Sequence, residues 1–69
     1  MLKVHDFTEP ELEYIRSMAN FTEIQAALFE LRSKEITHER CAEILHISVS
    51  TEKRINKKMI AKILRIIKT

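Results

Sequence analysis

The chain has no glycine, one proline and one cysteine in 69 residues. Each scarcity excludes something. Without glycine there is no glycine-rich loop to cradle a nucleotide phosphate. Few apolar–polar alternations mark out strands, so an all-α fold is predicted. One cysteine cannot form an internal disulfide and fits a reducing compartment. The opening MLKVHDFTEPE lacks the apolar centre of a secretory signal, and no apolar run is long enough to span a bilayer. The expected location is the cytoplasm, with no membrane partner. No Ser-His-Asp set has a workable spacing, and Glu9, Glu11 and Glu13 gather where a helix N-terminus favours acids without any catalytic need. No enzymatic role is expected. His38, Cys41 and His46 invite a metal reading, but a structural zinc site normally takes four ligands and there is no second cysteine. Neither metal nor cofactor is predicted, and Cys41 reads as a small core residue.

Apolar residues make up 45% of the chain, a normal share for a folded domain. Residues 1–69 read as one domain with a small core and marginal stability. The net charge is only +2, but it is unevenly placed. Residues 1–48 hold five basic and nine acidic side chains, a net of −4. Residues 49–69 hold seven basic side chains against Glu52 alone, a net of +6. Such polarity fits one face that meets a polyanion. The plain alternative is a solvated, charged helix face.

Four helices are predicted, over residues 9–19, 23–34, 38–45 and 49–67. Residues 1–6 show no pattern and read as a lead-in. Thr8 is the expected N-cap of the first helix, with Glu11 completing a capping box and Pro10 in the first turn. Phe7 and Leu12 would form its hydrophobic staple. Leu12, Ile15, Met18 and Ala19 recur at helical spacing, and Asn20 suits a left-handed C-terminal position. Thr22 and Gln25 repeat the capping device. Ile24, Ala27, Leu28 and Leu31 then share one face, which Phe29 extends.

The stretch over residues 37–57, THERCAEILHISVSTEKRINK, is where the chain becomes specific. It splits into a short amphipathic segment, a tight break at His46-Ile47, and a second segment opening at Ser48. Thr37 and Ser48 each stand where an N-cap is needed. Cys41, Leu45, Ile47 and Ile55 are spaced so that two helices can share a small core, and Ala42 is small where they would cross. This is the pattern of a helix-turn-helix, whose second helix enters the major groove of DNA.

The run A-E-I-L-H-I-S-V-S-T-x-K-R resembles the DNA-binding end of bacterial sigma factors, region four, and of LuxR-type regulators. Ala42, Ile47, Ser48, Thr51 and Lys53 match that pattern, and a looser likeness covers about two thirds of the chain. Two positions depart from it. His46 stands where the turn usually has glycine in a positive-φ conformation. Glu52 replaces an apolar residue, commonly valine, and cannot complete a staple with Ile47. Facing outward beside phosphates, Glu52 would weaken binding; its other use would be to accept from cytosine N4.

The resemblance implies a double-stranded DNA-binding domain in transcription regulation, from a bacterium, plasmid or prophage. Residues 49–58 would be the recognition helix. The family's base-reading positions fall on Val49, Ser50, Lys53, Arg54 and Lys57, with Asn56 a further small polar reader. Lys34, Thr37, Thr51 and Lys58 are candidates for phosphate. There is no room for the promoter-melting domain of a complete sigma factor. The apolar stripe of Met59, Ile60, Ile63, Leu64 and Ile67 is broad for so short a chain. Either it forms a homodimer interface, or the first two helices cover it. Two other classes stay open: a protein-interaction module binding RNA polymerase or another regulator, and a membrane-surface binder using the basic tail.

Overall fold

Every helix begins where a hydroxyl oxygen can take an orphan backbone N–H. The computed structural model describes residues 2–67 and contains four helices: α1 (Glu9–Met18), α2 (Glu23–Ser33), α3 (His38–Leu45) and α4 (Val49–Ile67). The described residues form no strand, and the fold is an all-α bundle as predicted. Thr8 and Thr22 close reciprocal capping boxes with Glu11 and Gln25. The Thr37 hydroxyl accepts from the Arg40 N–H at 3.2 Å, and Ser48 Oγ accepts from the Thr51 N–H at 3.1 Å.

With no glycine in the chain, other residues must take the left-handed turns. Asn20, Glu35 and His46 do so, with φ of 52°, 61° and 59°. The last two sit in Schellman motifs. The Ile36 N–H reaches the Leu31 carbonyl at 3.3 Å, and the Ile47 N–H reaches the Ala42 carbonyl at 3.0 Å. These bonds satisfy helix-end carbonyls and hold an otherwise unfavourable backbone in place. A left-handed residue with a Cβ costs about 1–2 kcal/mol.

The core joins Leu12 and Ile15 of α1, and Ala19 at its C-cap, to Leu28 and Phe29 of α2, Cys41 of α3, and Met59 and Ile63 of α4. Each large apolar side chain fully buried here contributes about 1.5–3 kcal/mol. Several placements correct the sequence reading. Met18 is exposed, and Ala19 takes the inward position. The buried face of α2 is Gln25, Leu28 and Phe29, while Ile24 and Ala27 turn outward. Phe29 has the largest side chain in the core and sets this rotation. Its ring lies 5.2 Å from that of Phe21, and the Arg16 guanidinium covers it at 5.9 Å while pairing with Glu30. Part of the predicted lead-in is built into the fold as well. Val4–Asp6 form a 3-10 turn, and Val4 is buried in the core.

The apolar stripe of α4 is largely used within the fold. Met59 and Ile63 are fully buried, so neither is free to meet a second copy. Ile60 and Leu64 are half-buried, and Ile67 is exposed. Lys62 is not a free surface cation. Its Nζ donates to the Asn20 carbonyl at 2.9 Å and to Gln25 Oε1 at 2.6 Å, tying α4 to the α1–α2 junction. No described helix is long and apolar enough to cross a membrane.

His46 is exposed and left-handed, so relieving its backbone should stabilise the domain. His46→Gly is expected to raise the unfolding free energy by about 1 kcal/mol, read as a higher urea midpoint. His46→Val should lower it.

Candidate nucleic-acid interface

Three residues, His46-Ile47-Ser48, connect α3 to α4. The Schellman bonds end α3 at His46, and Ser48 opens α4. Within so short a turn the two helices must pack on each other, and they form the most extensive helix–helix contact of the fold. Cys41 and Ala42 are the buried residues of α3. Their small side chains allow that close approach.

One polar contact fixes how α4 is turned about its axis. Glu52 is fully buried, and both of its carboxylate oxygens lie 2.9 Å from His38 Nδ1. A carboxylate accepts, so the ring nitrogen donates. This corrects the expectation of an outward Glu52 beside phosphates or on cytosine. The reason is geometric. Glu52 lies on the same inward row as Met59 and Ile63, seven and eleven residues on, and the first residue of α3 supplies a donor for it. That periodicity was present in the sequence; the partner, fourteen residues away on another helix, was not marked by any local pattern.

The surroundings of this pair are polar in a controlled way. Arg32 Nη1 donates to the Ile36 carbonyl at 2.5 Å, and Cys41 Sγ donates to the same oxygen at 3.6 Å. Burial pushes the Cys41 thiol above its ordinary range; the Glu52 charge adds to this, and Arg32 opposes it. That direction favours the thiol over the thiolate, the form that reacts and binds metals.

With Glu52 inside, the outer surface of early α4 carries only neutral and basic groups. Ser50, Lys53, Arg54, Lys57 and Lys58 are exposed, and Glu52 is the one acid in the helix. Among the described residues, Lys53, Arg54, Lys57 and Lys58 form no ion pair or hydrogen bond. Lys53 and Arg54 with Lys57 and Lys58 form an i, i+4 set on one side of the rod. Val49 and Thr51 are half-buried, and the Thr51 hydroxyl accepts from Ser48 Oγ at 2.9 Å. Thr37 and Lys34 are exposed at the α2–α3 turn. Asn56 is placed differently from the sequence reading. It is half-buried on the inward side, and its Oδ1 is buried without a partner.

Glu52→Ala should lower the unfolding free energy by about 2–3 kcal/mol, from the lost partner of His38 and the space left behind. Glu52→Leu should cost less, because it restores an apolar neighbour for Ile47. Urea unfolding followed by circular dichroism measures both. An alanine variant as stable as the parent would mean that the carboxylate lies in solvent.

No protein-family model matches this chain, and no curated protein and no solved structure matches it.

Proposed function

We propose that this domain binds double-stranded DNA and acts in transcription regulation, with residues 49–58 entering the major groove. The observation that carries the reading is the unpaired cationic face of early α4, left free of acid because Glu52 is buried. A helix with four unpartnered cations and a small polar residue on one side has the two kinds of group that DNA recognition needs. Arg54 can pair bidentately with guanine O6 and N7, while Lys53 and Lys57 reach the same acceptors as point charges. Ser50 is a polar reader, and Val49 can contact a thymine methyl group. Lys34, Thr37, Thr51 and Lys58 serve the phosphates and set register. The likeness of the 42–54 run to sigma region four and LuxR-type sequences supports the same reading. Pairing of two copies through α4 would rest on Ile60, Leu64 and Ile67, since Met59 and Ile63 are interior.

Lys53→Ala and Arg54→Ala should each weaken specific binding by about 1–3 kcal/mol and leave the helical circular dichroism unchanged. Affinity should fall steeply with added salt, because each phosphate contact releases counterions. A mobility-shift titration against duplex DNA measures both. Loss of neither affinity nor salt dependence in these variants would remove α4 as the reading helix. A parent domain with no duplex affinity would favour the interaction-module reading, in which the acidic first half meets a basic partner such as a surface of RNA polymerase.

A further inference from the structure

His38 is more than the partner of Glu52. Its Nδ1 faces the buried carboxylate, so Nε2 lies on the opposite edge of the ring. Nε2 has no partner among the described residues and is not a buried atom; the side chain keeps 31% of its surface exposed. His38 is the first residue of α3 and follows the exposed Thr37, while Glu52 lies in the first turn of α4. The contact thus brings the openings of both helices to one place, with a free ring nitrogen beside them.

We propose that His38 Nε2 binds a backbone phosphate of the duplex and takes up a proton in doing so. This rests on the DNA-binding reading above and adds to it a contact residue and a pH dependence. A ring that donates through Nδ1 alone leaves Nε2 an acceptor, which a phosphate oxygen cannot use. One proton taken from solvent makes Nε2 a donor as well. The ring is then a cation held between the Glu52 carboxylate and the phosphate. The positive end of α3 opposes a cation at this position, and the buried carboxylate offsets that opposition. Arg32 of α2 and Glu52 itself act on the neighbouring Cys41 thiol of α3, and Glu39 and Lys53 adjoin His38 and Glu52 in sequence with their side chains exposed. The remaining histidines lie elsewhere. His5 faces Asp6 and Glu35, and His46 is exposed in the turn.

The test uses His38→Asn, whose side-chain amide can take the place of Nδ1 toward Glu52 but has nothing at the position of Nε2. Binding to duplex DNA is measured against salt and against pH, with His46→Asn as a second background that keeps a residue tolerant of left-handed φ in the turn. The expected result is a folded His38→Asn domain with weaker binding and a salt slope smaller by about 0.9, the share of one phosphate contact. In the parent and in His46→Asn, affinity should fall as pH rises, by at most about tenfold per unit, the limit for uptake of one proton. In His38→Asn that fall should be absent. Unchanged slope and unchanged pH profile in His38→Asn would overturn the inference and leave the α4 reading standing. If His38→Asn does not fold, the profile of His46→Asn decides: a fall supports the phosphate contact, and a flat profile overturns it. A parent that binds no duplex at any pH overturns both.

Discussion

The bond between His38 and Glu52 sets the rotation of α4, and the character of the outer surface follows from that rotation. Successive residues on a helix are offset by about 100°. With Glu52 turned fully inward, Lys53 and Arg54 are carried round to solvent, and Lys57 follows one turn later. A carboxylate that would have interrupted a basic surface becomes a buried acceptor. The same bond does the mechanical task of the hydrophobic staple that Ile47 lacks, because it ties the first turn of α4 to the first turn of α3.

The long helix is divided along its length. Its first turns pack on α3 and present unpaired cations outward. Its later turns supply Met59 and Ile63 to the core, and Lys62 reaches across to the α1–α2 junction. Rigidity at the far end therefore supports the exposed near end. In a chain of 69 residues a helix that leaves one cationic face free of packing needs such an anchor, because the core is small. The three left-handed non-glycine residues draw on the same small stability, and the Schellman bonds at Glu35 and His46 limit the loss.

What was legible in the sequence is what depends on near neighbours. Thr8 with Glu11, and Thr22 with Gln25, announce two helix starts three residues at a time, and both capping boxes form. Positive φ at Asn20 and His46 follows from their places at helix ends. Ser50, Lys53, Arg54 and Lys57, the positions proposed to read bases, stand exposed, because charge and helical period together select the solvent side. What was not legible depends on partners far along the chain. Phe29 rotates α2 because Phe21 and Arg16 enclose it. Glu52 is drawn inward by His38, and Lys62 by Gln25. A charged residue in an amphipathic pattern is assigned to solvent by default, and only the opposing helix shows that it has a buried partner.

The most direct test of the central claim is a backbone amide map of the full chain by heteronuclear NMR during titration with duplex DNA. The account predicts shifts confined to the amides of residues 34–38 and 48–58, with the α1 amides and the far end of α4 unmoved. Shifts centred on α1, or no shifts at a duplex concentration that saturates a comparable basic helix, would contradict it.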